Sequence, residues 1–194
     1  ALDFLGHDWS QSEICDLAIQ LERRFNPLTG YQDAYGCGIG GLKRFNFNKY
    51  GNVSIQFLKS RILDNLSISL IPTGLKRSST NILSTIDAEK SLALLNDVEN
   101  LVICQNVEEF CTVINTAWEN KKKISESILN DSISKLDEKL KSYCEGPHSA
   151  RKLLGAGGGG YFLVMCNSGD RLSSKINGTV PIKIDNEGVR VYAN

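Results

Sequence analysis

Interpretation of the whole chain starts from one stretch, Lys152-Leu153-Leu154-Gly155-Ala156-Gly157-Gly158-Gly159-Gly160-Tyr161-Phe162-Leu163-Val164-Met165-Cys166. Five glycines in six positions lie between two apolar runs. Glycine adopts backbone conformations closed to other residues and leaves room for close approach. A flexible linker is one interpretation of such a segment. Because the flanking runs have the composition of a protein core, we instead predict a structured loop followed by a buried strand.

The same glycines satisfy the pattern G-x-G-x-x-G at positions 155, 157 and 160. That pattern binds dinucleotides when it follows a strand and opens a helix. Here a strand-like run follows the glycines, which argues against a dinucleotide-binding fold.

The composition disfavours two classes of partner. Lysine and arginine number 22, as do aspartate and glutamate, so the formal net charge is zero. No basic surface is implied, and we expect neither nucleic acid nor a membrane as partner. No apolar run approaches the roughly 20 residues that a membrane span requires, and no signal-peptide pattern is visible. We therefore expect a cytoplasmic protein.

The cysteines and histidines give a similar indication. The six cysteines lie far apart and form no C-x-x-C pair, so we expect reduced, mostly buried thiols. The only histidines are His7 and His148, which disfavours a histidine-rich zinc site.

The order of predicted elements indicates the fold class. Ser10 and Glu13 form a capping box that begins a helix with Ile14, Leu17, Ala18 and Leu21 on one apolar face. Strands follow at 42–47 and 53–58, joined by a hairpin turn, with a third strand at 66–71.

Three or four helices are predicted between residues 79 and 144. A short helix near 170–175 and a last pair of strands, 180–184 and 189–192, close the chain. Strands, then helices, then strands, without strict alternation, predict an α+β fold with an antiparallel sheet.

Two carboxylates and one charge run are candidates for function. Glu22 lies four residues after Ala18, at the edge of the predicted apolar face, where it needs a partner such as a neighbouring lysine or arginine. Asp33 lies in a second glycine-rich stretch, 31–41, without a basic neighbour in sequence. The run Lys121-Lys122-Lys123 is typical of a solvated helix surface, so charge alone predicts no binding there.

The stretch from Lys152 to Cys166 resembles the third signature motif of the GHMP kinases, the family of galactokinase, homoserine kinase, mevalonate kinase and phosphomevalonate kinase. Gly30-Tyr31-Gln32-Asp33, with Tyr35 and Gly40-Gly41, resembles the family segment that carries the catalytic aspartate. The resemblance implies that Asp33 accepts or orients the proton of the substrate hydroxyl. It also implies that Glu22, 33 − 22 = 11 residues earlier, binds magnesium. Ala34 departs from the glutamine that commonly follows the aspartate.

Within the family the chain most resembles the D-glycero-D-manno-heptose 7-phosphate kinase group. The residues that carry this resemblance are Thr73-Gly74 with Arg77-Ser78, Trp118 with Lys121-Lys122 and Ile124-Ser125, Lys152-Leu153-Leu154, and Asn186-Glu187-Gly188-Val189-Arg190-Val191. The implied activity is transfer of phosphate from ATP, with Mg²⁺, to a hydroxyl of a sugar phosphate. The resemblance places Gly155, Gly157, Gly158 and Gly159 at the nucleotide site, and a phosphate already on the sugar would be bound by Arg77, or by Lys121 and Lys122.

Two family motifs are missing, one of which is the N-terminal motif. The phosphate-cradling loop, Pro…Gly-Leu-Gly-Ser-Ser before a helix, does not occur in this sequence. We therefore expect residues 1–63 to be the end of a GHMP N-terminal, ATP-binding domain. Residues 64–194 would form the C-terminal domain, with a ferredoxin-like antiparallel sheet packed against helices. We expect no turnover from this chain alone. The alternative is a non-catalytic binding or regulatory module with the GHMP C-terminal fold. The oligomeric state stays open.

Overall fold

A computed structural model describes residues 9–27, 29–48, 50–58, 60–76, 82, 85–167 and 176–190. The chain divides into two compact units, one formed by residues up to 60 together with those from 184 onward, the other by residues 61–183. The predicted domain boundary after residue 63 lies close to the first division. The sequence did not predict that the last segment belongs to the first unit.

The first unit contains two helices and a hairpin. Its elements are α1 (Gln11–Arg23), α2 (Gln32–Gly38), β1 (Lys43–Phe47) and β2 (Val53–Phe57). The predicted capping box is confirmed, because Ser10 Oγ accepts from the Glu13 amide and the Glu13 carboxylate accepts from the Ser10 amide at 2.8 Å. The predicted hairpin is also confirmed, with β1 and β2 antiparallel and the Asn48 side chain accepting from the Tyr50 and Asn52 amides.

The predicted buried face of α1 is wrong by part of a turn. Cys15 and Ile19 are the buried residues of this helix, whereas Leu21 is 49% exposed. The reason is the close approach of α2, since a side chain on Gly38 would collide with Cys15 Sγ. The closest tertiary neighbour, rather than the apolar period, decides which face of α1 is buried.

The described residues of the second unit include one sheet, three α-helices and two 3₁₀ turns. In chain order its elements are a 3₁₀ turn (Ser60–Leu63), β3 (Leu66–Pro72), α3 (Ala88–Ile103), α4 (Val107–Lys122), a 3₁₀ turn (Glu126–Ile128), α5 (Asp131–Tyr143), β4 (Ala150–Leu153), β5 (Tyr161–Asn167) and β6 (Val180–Ile182). Asp87, Asn106 and Asn130 cap the three helices through their side-chain oxygens, which satisfies amides that have no partner within a helix.

The strands of this sheet lie in the order β4-β5-β3-β6, and each neighbouring pair is antiparallel. This confirms the predicted α+β fold, and the strand order is that of a ferredoxin-like sheet. The predicted pairing of the last two strands is not found among the described residues, where β6 pairs with β3 and Gly188 forms an isolated bridge with Ile39. Residues 191 and 192 of the last predicted strand lie outside the described residues. The predicted helix near 170–175 lies outside the described residues.

The core of the second unit lies between the sheet and its helices. Trp118 of α4 meets Phe162 of β5 edge to face, with ring centroids 5.7 Å apart, and both side chains are fully buried. All six cysteines are free thiols. Cys15, Cys111 and Cys166 are buried, which is fewer than expected. No helix in the described part of the chain is long and apolar enough to cross a membrane.

Candidate functional site

Asp33, the predicted catalytic aspartate, lies in the first turn of α2. Its side chain is exposed, and no hydrogen bond or ion pair joins its carboxylate to another described residue. A negative charge in the first turn of a helix is favoured by the helix dipole. The carboxylate is therefore accessible from solvent and available to accept a hydrogen bond.

Glu22, the predicted magnesium ligand, lies in the last turn of α1. Its side chain is exposed rather than at the edge of a buried face, and among the described residues no lysine or arginine pairs with it. A carboxylate near a helix C-terminus is opposed by the helix dipole, so a bound cation would stabilise it there.

The ends of the two helices that carry these carboxylates lie side by side. Arg23, next to Glu22, stacks over the ring of Tyr31 with its guanidinium carbon 4.9 Å from the centroid. Arg23 Nε also donates to the Thr29 carbonyl at 3.1 Å. Tyr31 is the N-cap of α2 and precedes Asp33 by two residues. Glu22 and Asp33 therefore lie on adjacent segments of one compact unit.

The body of α2 is fixed on α1 by two side-chain hydrogen bonds. Tyr35 Oη donates to Asp16 Oδ1 at 2.8 Å, and Cys15 Sγ donates to the Ala34 carbonyl at 3.4 Å. Burial, and then the hydrogen bond to Asp16, raise the pKa of the Tyr35 phenol, so it remains a donor at neutral pH. These contacts set the position of the helix that carries Asp33.

The glycine-rich stretch after α2 packs against the last described segment of the chain. The Gly41 amide donates to the Asp185 carbonyl at 2.7 Å, and the Val189 amide donates to the Gly38 carbonyl at 2.9 Å. Asp185 also accepts from the Glu187 amide at 2.9 Å, and such backbone hydrogen bonds hold the pKa of its carboxyl below the ordinary value. This segment closes the first unit around the C-terminal end of α2.

Lys43 holds the same stretch from the other side. Its Nζ donates to the carbonyls of Gly36 and Gly41 at 3.2 Å each, and also to that of Ile39. Burial lowers the pKa of the Lys43 ammonium, and the negative potential of Cys37 and Asp185 opposes that shift. Lys43 thus binds the carbonyls that α2 leaves without partners at its C-terminus.

In the second unit, the loop from Gly155 to Gly160 connects β4 to β5. The Gly158 amide donates to the Ile128 carbonyl at 3.0 Å, and the Gly160 carbonyl accepts from both the amide and the hydroxyl of Thr73 at 2.9 Å. This confirms the predicted structured loop and buried strand. The dinucleotide interpretation fails, as expected, because β5 rather than a helix follows the glycines.

Little space remains around this loop. Gly157 and Gly159 are buried, and a Cβ at Gly159 would lie 2.8 Å from the Leu75 carbonyl oxygen. The loop is therefore packed against its own unit. Contact of Gly155, Gly157, Gly158 and Gly159 with a nucleotide stays a prediction.

The lysines predicted to bind a substrate phosphate are engaged within the chain. Lys121 Nζ donates to the carbonyls of Leu153, at 3.1 Å, and of Gly155. Lys122 Nζ pairs with Glu119 at 2.7 Å and with Asp137 at 3.1 Å. These contacts give both lysines structural roles in this conformation. The third predicted phosphate ligand, Arg77, lies outside the described residues.

Sequence reasoning missed a buried ion-pair network. Asp137 on α5 accepts from Arg151 Nε at 2.7 Å and from Trp118 Nε1 at 2.9 Å, and it pairs with Lys122. Asp137 is 6% exposed and Arg151 is 7% exposed. A signal was present, because Asp137 lies four residues after the buried Ile133 and three before the buried Leu140. A carboxylate at that position of an apolar face requires a buried cation.

The described residues could bind a magnesium ion only together with ligands from outside them, such as phosphate oxygens and water. They contain no group of three or more histidine, cysteine, aspartate or glutamate side chains that could hold a metal by itself. Magnesium in phosphotransferases is commonly bound by one or two carboxylates, with the phosphates and water completing its shell. Glu22, exposed and near a helix C-terminus, is suited to such a single-carboxylate contribution.

Comparison with known proteins places this architecture among kinases. No protein-family model matches the chain. A curated relative, L-fucokinase/L-fucose-1-P guanylyltransferase of Bacteroides fragilis, is 25% identical over 182 residues. That match covers 84% of this chain and 19% of the relative, so the chain spans about a fifth of the relative's length.

Solved structures agree over a larger share of the chain. Phosphomevalonate kinase of Streptococcus pneumoniae, solved with phosphomevalonate and AMPPNP, superposes with a TM-score of 0.73 at 15% identity, covering 93% of this chain and 64% of that one. A mevalonate kinase superposes with a TM-score of 0.71 at 18% identity, and the match covers 95% of this chain and 60% of that one. Galactokinase of Lactococcus lactis, solved with galactose, superposes with a TM-score of 0.56 at 13% identity, and the match covers 85% of this chain and 54% of that one. The chain has the fold of the GHMP kinases and spans less than two thirds of each of these structures.

Proposed function

We propose that this chain belongs to an ATP-dependent kinase of the GHMP type that phosphorylates a hydroxyl of a sugar. One observation carries the proposal: nearly the whole chain has the fold of these kinases, and most of it is similar in sequence to an enzyme named for fucose phosphorylation. The exposed, unpaired carboxylates on α1 and α2 support it, because phosphoryl transfer requires groups that orient the acceptor and neutralise charge.

Two residues of this chain have proposed roles. Asp33 accepts a hydrogen bond from the acceptor hydroxyl and takes up or orients its proton as the bond to phosphorus forms. Glu22 contributes one carboxylate to Mg²⁺, which would neutralise the phosphates of ATP when bound. Arg23 and Tyr31 keep the two helix ends together, so both carboxylates serve one site.

For the acceptor we propose a sugar phosphate of the heptose 7-phosphate class, on the sequence resemblance. An unphosphorylated sugar such as fucose is a second candidate. It is favoured by the similarity to the fucokinase and by the internal contacts of Lys121 and Lys122, which leave Arg77 as the remaining predicted ligand for a sugar phosphate.

We also propose that the 194 residues alone do not turn over ATP. The sequence contains no Gly-Leu-Gly-Ser-Ser loop, and backbone amides at a helix N-terminus are the usual cradle for nucleotide phosphates.

The test is ATP turnover by the full reading frame that encodes this chain, with heptose 7-phosphate, L-fucose, galactose and mevalonate as acceptors. Asp33→Ala should lower kcat by about a thousandfold or more. Asp64→Ala, which removes an exposed carboxylate of the second unit, is the matched control and should leave turnover unchanged.

Turnover restricted to one acceptor would choose between the two sugar classes. No turnover on any acceptor, or full activity in Asp33→Ala, would overturn the proposal in favour of a non-catalytic binding module.

A further inference from the structure

The strand that enters the glycine-rich loop lies at the edge of its sheet. Among the described strands, β4 pairs with β5 alone, and the Leu154 amide donates to the Tyr161 carbonyl at 2.9 Å. Along a strand, the N–H and C=O groups of successive residues point to opposite sides. Because Leu154 bonds to β5, the backbone groups of Arg151 and Leu153 point away from β5. An edge strand must find other partners for such groups or leave them unsatisfied.

Helix α4 supplies those partners through two side chains. Asn115 Nδ2 donates to the Ser149 carbonyl at 2.9 Å, and Asn115 Oδ1 accepts from the Arg151 amide at 3.1 Å. Lys121, six residues later, donates to the outward carbonyl of Leu153 at 3.1 Å. The side chains of α4 therefore take the place of a neighbouring strand along the open edge of β4.

Lys121 continues this pattern beyond the end of the strand. Its Nζ also donates to the carbonyl of Gly155, the first glycine of the loop, where the backbone has a φ of 67°. The lysine ammonium has three donor hydrogens and can donate to carbonyls that lie in different directions. Its hydrogen bonds are charge-assisted and therefore stronger than those between neutral groups. One ammonium thus joins the last residue of β4 to the first turn of the loop.

The rest of the loop is held by backbone and hydroxyl contacts. Its middle is bound through the Gly158 amide to Ile128, and its exit through the Gly160 carbonyl to Thr73. At the start of the loop, Lys121 contacts the Gly155 carbonyl through its side chain. The entering limb is therefore held by this ammonium, whereas the exit is held by Thr73.

We propose that Lys121 is a positioning residue that fixes the entering limb of the glycine-rich loop, rather than a ligand for a substrate phosphate. The effect of this positioning role on catalysis rests on the proposed kinase function, in which the loop lies at the nucleotide and substrate site. The conformation of the loop can be measured whether or not the protein is an active kinase.

The first test is amide hydrogen exchange of the 194-residue chain and three variants, resolved for residues 154–161. Lys121→Met should speed exchange in this segment about tenfold, the equivalent of one lost hydrogen bond, while exchange in α4 and β5 stays unchanged. Lys121→Arg should bring exchange back to within about threefold of the unsubstituted chain, because a guanidinium can also donate to two carbonyls. Lys123→Met, an exposed lysine at the end of the same helix, should have no effect.

Unchanged exchange in Lys121→Met, or an equal change in Lys123→Met, would overturn the proposal. The second measurement is turnover by the full protein, where Lys121→Met should lower kcat about tenfold with little change in the acceptor KM, and Lys121→Arg should restore it. A loss confined to the KM of a phosphorylated acceptor would instead make Lys121 a substrate ligand. Absence of turnover in the unsubstituted protein would contradict the kinase function, while the exchange data would still decide the role of Lys121.

Discussion

The two glycine-rich stretches, 36–41 in the first unit and 155–160 in the second, are both held by a lysine but use glycine for different reasons. In each, a lysine ammonium binds backbone carbonyls, Lys43 in the first and Lys121 in the second. In the first stretch, glycine lets backbone approach backbone, since a Cβ at Gly40 would lie 2.4 Å from the Asn186 carbonyl carbon.

The second stretch uses glycine differently. Four of its five glycines have positive φ, which other residues adopt at a cost. A Cβ at Gly157 would lie 2.9 Å from Ile128 Cα and 3.1 Å from its Cβ, so this glycine is packed largely against one isoleucine. The backbone contacts of the first stretch are the closer ones, 2.4 Å for a Cβ at Gly40 against 2.8 Å at Gly159 and 2.9 Å at Gly157. The first stretch should therefore be the less tolerant of substitution.

The largest effect is expected for Gly188→Ala. Gly188 has a φ of 74°, and its new methyl group would overlap the Gly38 carbonyl and the Gly40 amide. Strain in the left-handed region and overpacking each cost about 1–3 kcal/mol, so the free energy of unfolding of the first unit should fall by about 3 kcal/mol or more. Urea unfolding, followed through amide exchange in α1 and α2, measures this loss.

The matched control for this substitution lies in the glycine-rich stretch that Gly188 contacts. Gly36 is inside α2 and has no atom within 4 Å of the position of a Cβ, so Gly36→Ala should leave stability unchanged or raise it by about 0.5–1 kcal/mol. Equal losses of stability in both variants would show that the close contact between Gly188 and Gly38 does not explain the effect of Gly188→Ala.

A smaller effect is expected for Gly157→Ala in the second stretch. Gly157 has a φ of 118° and approaches Ile128 closely, so the second unit should lose about 2 kcal/mol, measured through exchange of β5 amides. Gly74→Ala is the control, because Gly74 has a φ of 72° with no atom within 4 Å of a Cβ. It should lose only about 1 kcal/mol, the cost of the backbone conformation. If Gly157→Ala were no worse than Gly74→Ala, packing on Ile128 would not explain the glycine.

Local sequence signals predicted much of this architecture. The capping box at Ser10, the hairpin turn around Asn48 and the apolar strand at β5 each depend on residues a few positions apart, and each is found in the structure. The order of the patterns, strands then helices then strands without strict alternation, likewise predicted the antiparallel α+β fold.

Contacts between distant segments were beyond reach of the same reasoning. The buried face of α1 depends on Gly38, and the return of residues 184–190 to the first unit depends on glycines more than 140 positions away in sequence. The carbonyls bound by Lys121 belong to β4 and to the loop after it, and β4 begins 29 residues later, 150 − 121. Charge and spacing along the chain made this lysine a candidate for phosphate, whereas the open edge of β4 gives it another partner.

The last prediction uses pH to separate the two stretches. Asp185 accepts hydrogen bonds from the amides of Glu187 and Gly188, and these hold its pKa below the ordinary value of 3.8. Between that value and the lower folded pKa the unfolded chain binds more protons. The contribution of Asp185 to the free energy of unfolding is therefore complete above the unfolded pKa and is lost as pH falls through the folded pKa.

Asp185→Asn should reduce the loss of stability that the first unit shows in acid, measured by unfolding between about pH 6 and pH 2. The loop held by Lys121 should show no difference between the variant and the unsubstituted chain, because lysine stays charged over this range. Identical acid profiles for the first unit in both proteins would mean that Asp185 does not hold Gly188 in place, and that backbone packing alone keeps the two segments together.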